Sequence, residues 1–279
     1  MPGWKHRCAL VLLVAGMASG CAAIERKADS PLVQPRMSAD SVVLEIFTAR
    51  FPLGDARYDA ALWSQVDEQQ LDPALRRLLA ENGLRAGVIG TQMPVELERL
   101  LQLEGQRAAA DLGRPVEPDE DRPVTQRRTQ VRAGRRTEIV LSREIPQFHL
   151  LLPEDGSVRG RTYEQGQGLL ALKTAVLGDG RVRLEATPEL HHGGPRQQWR
   201  GEDEQFVLQT ARAREVLDAL RFSAVLAPGQ TLLVGTLPDR AGSVGGRFLT
   251  DERDGAVEQK LVLVRLAQIQ RDDLFETEK

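Results

Sequence analysis

Residues 169–190 read LLALKTAVLGDGRVRLEATPEL and leave the chain few choices. Gly178-Asp179-Gly180 is a hairpin signal, because Gly and Asp tolerate the backbone angles a tight reversal needs. After it, Val182, Leu184 and Ala186 alternate with Arg181, Arg183, Glu185 and Thr187. That period of two puts apolar side chains on one face and polar ones on the other. The segment is therefore expected to be an antiparallel pair with one wet face and one face buried against another layer.

The same grammar holds from about residue 125 onward. In TQVRAGRRTEIVL, Ala133-Gly134 separates two strand-like runs, and FHLLL is a third, ending at Pro153. AREVLDALRFSAVLA carries a short helix or a strand and stops at Pro228-Gly229. QTLLVGTL is a strand. KLVLVRLAQI is apolar almost throughout, which predicts a strand covered on both sides and central in its sheet, with Gln259–Gln270 as core. Between these two lies a Gly- and Asp-rich stretch, 238–258, expected to be a long loop and a contact surface.

Upstream the pattern is mixed. VVLEIF, residues 42–47, is β-branched and aromatic, and so a strand. In LDPALRRLLAENG, Asp72 can cap a helix that opens with Pro73. Leu75, Leu78 and Leu79 form its apolar stripe, and Gly83 stands where a left-handed residue ends helices. LRAGVIG reads as a strand, PVELERLLQL from Pro94 as a second helix, and Leu62 to Gln70 as a short earlier one. The expected fold class is α+β: a small strand-helix-strand-helix unit over 41–104, a polar proline-containing linker over 105–124, and a mostly antiparallel β domain over 125–279.

Composition narrows the function. With 37 basic and 40 acidic residues, the net charge of −3 excludes a dedicated nucleic-acid binder, which needs a strongly basic face. Aromatic residues make up 4% of the chain, too few for the girdles of a lipid-spanning barrel.

The first 20 residues have another logic. Lys5, His6 and Arg7 precede the apolar run Ala9–Val14, and small residues follow, the order of a secretory signal peptide. The run is too short to span a bilayer. Ala18-Ser19-Gly20-Cys21 resembles the lipobox of bacterial lipoproteins, with Ala where Leu is common. The resemblance implies lipidation of Cys21, cleavage before it, and a body held on a membrane by acyl chains. Cys8 would leave with the signal, so the mature chain would carry no second thiol at risk of mispairing. Residues 21–40, with Pro31 and Pro35, are expected to be a tether. Ala22, where Asp would mark retention in enterobacterial lipoproteins, leans toward the outer membrane.

The C-terminal half also resembles the C-terminal β domain of bacterial secretins. Asp179-Gly180, Val182, Leu184, Pro188 and Glu189 match one piece of that pattern. Gly229-Gln230-Thr231, Gly235 and Leu237 match a second, and KLVLVRLAQI matches the closing strand. The secretin signature Pro-Leu-Leu-Gly-Asp-Ile-Pro is replaced by AGSVGGRFLTDERDGAVEQ, and no membrane hairpin is evident, so pore formation is not implied.

Few constellations point to catalysis. His191-His192 is the only histidine pair; neighbours on an extended chain face opposite ways, so a metal would need His149 or other partners. The competing reading is a polar loop after a strand ending at Pro188. Gly242-Ser243-Val244-Gly245-Gly246 lacks the lysine of a phosphate loop and reads as a mobile loop. Glu117, Asp119, Glu120 and Asp121 form a solvated acidic run. Arg127, Arg128, Arg132, Arg135 and Arg136 form a basic cluster suited to anionic lipid, to the acidic run, or to a solvent-facing hairpin.

These readings make the chain a non-enzymatic envelope lipoprotein, without a catalytic, metal or cofactor site. It is held to a membrane at Cys21 and docks onto an envelope protein through its β domain. Two alternatives stay open: an envelope hydrolase or metal enzyme using His191 or His192, and an oligomeric secretin-like ring.

Overall fold

The computed structural model describes residues 41–95, 97–99, 101, 124–154, 157–202 and 205–270. The expected signal peptide, Cys21, the tether, most of the linker with its acidic run, and the end of the second helix lie outside these residues. The described chain is mostly antiparallel β with few helices.

The first strand, β1 (Ser41–Pro52), already crosses the expected domain boundary. It lies between β3 (Val124–Arg132) and β12 (Ala256–Gln270), with Phe47 opposite both Gln126 and Leu263. β2 (Leu84–Ile89) and β10 (Thr231–Thr236) complete the order β2-β10-β12-β1-β3, and β11 (Thr250–Arg253) adds to β12. Strands on both sides of 105–124 thus share one sheet, here sheet A. The 41–104 and 125–279 segments are not separate domains: among the described residues they share one sheet and one compact unit. The sequence pattern missed this because pairing between distant strands leaves no local signal. β12 is central, as its apolar run predicts.

Sheet B has the order β4-β6-β7-β8, from β4 (Arg136–Val140), β6 (Ser157–Val176), β7 (Val182–Glu202) and β8 (Gln205–Val216). β5 (Ile145–Glu154) pairs with β6, and β9 (Phe222–Leu226) with β7. The Gly178–Gly180 reversal joins β6 to β7, with Val176 opposite Val182. Ala133-Gly134 is a turn, but not a hairpin: β3 pairs in sheet A and β4 in sheet B. The turn is a corner between the sheets.

Alternation decides the layers. Leu44, Val262, Val264 and Leu232 of sheet A face Leu170, Leu184, Phe222 and Leu226 of sheet B in one core. The opposite face of sheet A buries Phe51, Leu233, Leu261 and Leu263 under Tyr58, Leu62, Trp63 and Leu97. Tyr58 sits in a short π-helical turn, Arg57–Ala61, in the stretch that continues into the expected 62–70 helix. That helix is only partly present, because Asp67 bridges to Val88.

Helix α1 (Pro73–Glu81) is as its sequence predicts. Asp72 Oδ1 accepts from the N–H groups of Ala74 at 2.8 Å and Leu75 at 3.3 Å, and Gly83 has φ +69°. The 238–258 stretch is not a loop. It contains a short helix, α2 (Val244–Phe248), then β11 and the start of β12. Gly245 lies so close to the Gly83 carbonyl that a Cβ would collide with it, and its N–H donates to Asn82 O at 2.9 Å. These glycines permit close backbone packing, and Ser243 to Gly246 are buried rather than mobile.

The His191-His192-Gly193-Gly194-Pro195 stretch is not a loop either. β7 runs through it, with a register shift between His192 and Arg196 that accommodates two extra residues. β6 bends at the same level, where Gln165 has φ +50°. β6 and β7 pair only from Gln167↔His191 to Val176↔Val182. Beyond that they part. β6 continues against β5 as one hairpin arm, and β7 against β8 as another.

Candidate functional site

Charged side chains converge at several places among the described residues, and three of these have a buried or shifted group at their centre. The first is the wet face of sheet B. Outward alternation along β7 puts Glu185, Thr187, Glu189 and His191 on that face. Glu189 is nevertheless only 3% exposed. Arg136 Nη2, from β4, donates to its Oε2 at 2.5 Å. Arg214 Nε, from β8, is 3.8 Å from that oxygen and His191 Nε2 is 3.5 Å away. An open cavity of about 290 Å³ lies here, lined also by Lys173, Glu185 and Arg221. Arg136 also bonds Glu138, and Arg221 bonds Asp218. The contacts of Arg136 and Arg214 with Glu189 tie β4, β7 and β8 across the sheet. A buried carboxylate between two guanidiniums is a strong register clamp, because removing one partner strands a desolvated charge.

The second is Lys260, the first residue of the apolar run in β12 and 6% exposed. Its Nζ donates to the Leu141 carbonyl at 2.9 Å, linking sheet A to the β4–β5 connection. Burial pushes the ammonium pKa down to about 8; Asp251 opposes this, while Arg50, Arg143 and Arg253 add to it. Arg143 Nη2 donates to Asp251 Oδ1 at 2.5 Å.

The third ties the β5–β6 arm to β8 at the edge of the shared sheet. Tyr163 Oη donates to Glu215 Oε2 at 2.7 Å, and Arg161 Nη1 donates to Glu215 Oε1 at 2.9 Å. Burial pushes the phenol up to about 12, Glu215 adds to the rise, and Arg161 works against it.

The histidines do not converge. His191 sits by Glu189. The His192 ring packs 5.0 Å from the Tyr163 ring. His149 is exposed on β5, its Nδ1 3.0 Å from Thr162 Oγ1. No group of three His, Cys, Asp or Glu side chains among the described residues could hold a metal. Cys21 lies outside the described residues. Of the expected basic cluster, Arg127, Arg128 and Arg132 are on the exposed strand β3, Arg135 is in the corner, and Arg136 is in the Glu189 clamp.

Sequence reasoning missed Glu189, Lys260 and Tyr163 as charge centres. A faint signal exists for Lys260, a cation opening a run that is otherwise apolar. Glu189 reads as one more outward-facing residue, and only the sheet order, with β8 beside β7 and β4 one strand beyond β6, surrounds it with arginines. No family model, curated protein or solved structure matches this chain.

Proposed function

We propose that this chain is a lipid-anchored protein of the bacterial envelope that works as a non-enzymatic assembly module, docking through its β domain. The Ala18-Ser19-Gly20-Cys21 lipobox supports the anchor. The parting of β6 and β7 carries the docking half of the reading. Two hairpin arms continue beyond the shared sheet, and among the described residues β6 pairs there only with β5, and β7 only with β8. Strand edges of this kind accept a partner strand through main-chain hydrogen bonds. The converging charges also favour a structural role, since Glu189 and Glu215 bind arginines from other strands and Asp251 binds Arg143 of the β4–β5 connection.

The test places photo-crosslinking side chains at Val158 on one arm and Gln197 on the other, in cells making the full chain. The expected result is a defined adduct with an envelope protein from at least one arm. Absence of any adduct from either arm refutes docking through them. The anchor is tested separately: mass spectrometry of the mature N-terminus should find acylated Cys21, and Cys21→Ser should release the protein from membranes. The secretin-like ring remains a second reading, favoured by the β6–β7 hairpin, β10 and β12 falling where the resembling pieces lie. It requires large particles in size-exclusion runs, whereas the single module elutes as a monomer.

A further inference from the structure

We propose that the β3 edge of sheet A is a membrane-facing surface that binds the anionic lipid headgroups of the leaflet in which the chain is anchored. β3 is the terminal strand of its sheet, paired with β1 alone among the described residues. Residues 124–137 contain five arginines and no acid. Arg136 turns away into the Glu189 clamp. Arg127, Arg128, Arg132 and Arg135 are exposed along the edge and its corner. Arg265 of β12 adds a fifth guanidinium, 3.6 Å from Glu45, which is itself 4.0 Å from Arg128. The edge is therefore basic on a chain whose net charge is −3.

The second observation is where the chain enters the fold. Ser41, the first residue of β1, stands opposite Arg132 in the β1–β3 register. Gln130 Nε2 donates to Ser41 Oγ at 3.1 Å. The segment leading from Cys21 thus joins the body at the arginine-bearing edge. Twenty residues from Cys21 to Ser41 reach at most about 70 Å. An acyl anchor at Cys21 would hold this edge at high effective concentration near headgroups, so weak attraction per arginine suffices. This part of the argument rests on the proposed anchor; the charge and exposure of the edge do not. The edge's polar, charged side chains also disfavour pairing with another strand, which separates its role from that of the arms.

The test uses residues 21–279 carrying Cys21→Ser, so that no lipid contributes, and measures flotation with vesicles. Vesicles containing phosphatidylglycerol should bind the protein at 50 mM NaCl, and vesicles of phosphatidylcholine alone should not. Binding should weaken at least about tenfold at 300 mM NaCl, because exposed charges are screened. The triple variant Arg127→Gln, Arg128→Gln, Arg132→Gln should lose roughly a hundredfold in affinity, at about fivefold per guanidinium. The matching Arg→Lys triple should retain binding, which separates charge from altered folding. Equal binding to both vesicles, or an unaffected Gln triple, overturns the proposal. So does a parent that binds only after Glu117→Gln, Asp119→Asn, Glu120→Gln and Asp121→Asn, since the chain's own acidic run would then occupy the edge. Mass spectrometry of native Cys21 reads the anchor independently: a bare Cys21 with intact vesicle binding refutes the anchor and leaves the surface.

Discussion

The two sheets use the same strand chemistry to opposite ends. Sheet A is buried on both faces: β12 and β10 carry nearly continuous apolar runs, with the inter-sheet core on one side and the Trp63 layer on the other. Sheet B is buried on one face and carries charge on the other, and its longest strands leave the common sheet as arms. The contrast teaches where polar chemistry can accumulate in such a fold. It collects where a sheet has a wet face, and there Glu189 is held by Arg214 from the neighbouring strand β8 and Arg136 from β4, one strand beyond β6. On sheet A the charged groups of the inter-sheet face lie at the end of the sandwich, around Lys260.

This division predicts unequal sensitivity to truncation. Leu263 in sheet A is fully buried, so Leu263→Ala should cost about 2–5 kcal/mol in denaturant unfolding. Val140 on the wet face of sheet B is 57% exposed, and Val140→Ala should stay within about 0.5 kcal/mol. Comparable losses at both sites would erase the distinction.

Lys260 gives a pH signature. Its ammonium binds a proton less tightly in the folded chain, near pH 8, than in the unfolded chain, near 10.5. Between those values the unfolded state holds more protons, so stability should rise with pH by up to about 1.4 kcal/mol per unit. Below pH 8 both states are charged and this contribution is flat. Lys260→Met should remove the rise; a slope unchanged by the substitution would place the responsible group elsewhere.

Glu189→Gln sharpens the account of sheet B. The variant keeps the shape but leaves Arg136 and Arg214 facing a neutral amide. The expected loss is about 1–3 kcal/mol, smaller than for a fully buried pair because Arg136 is 30% exposed. The loss should shrink if Arg136→Met is already present, as a double-mutant cycle would show. Strict additivity would mean that the clamp contributes nothing.

Helix α1 was legible in full, from the Asp72 cap to Gly83, because capping and a leucine stripe are local. The β6–β7 hairpin was legible for the same reason, and β12 through its nearly continuous apolar run. The short pieces failed in an instructive way. Gly242–Gly246 reads as a mobile loop, since nothing nearby in sequence announces that Gly83 packs on it. His191–Pro195 reads as a polar loop after a strand ending at Pro188, whereas β7 runs through it with a register shift between His192 and Arg196. The charge centres were illegible because each draws partners from strands far apart in the chain. Arg136 and Glu189 are 53 residues apart, and Lys260 and Leu141 are 119 apart.

The sequence by itself determined the kind of chain this is: strand-rich, antiparallel, with one well-capped helix. Those are properties of neighbouring residues, whose backbone preferences and side-chain alternation act over a few positions. The tertiary structure alone decided that β1 and β12 lie side by side, that there is one body rather than two domains, and which outward residues become buried charges. It also decided that Arg132 of β3 stands opposite Ser41. Sheet pairing joins residues far apart along the chain, and the burial that selects one pairing is shared among all of them, so no single stretch of sequence encodes it.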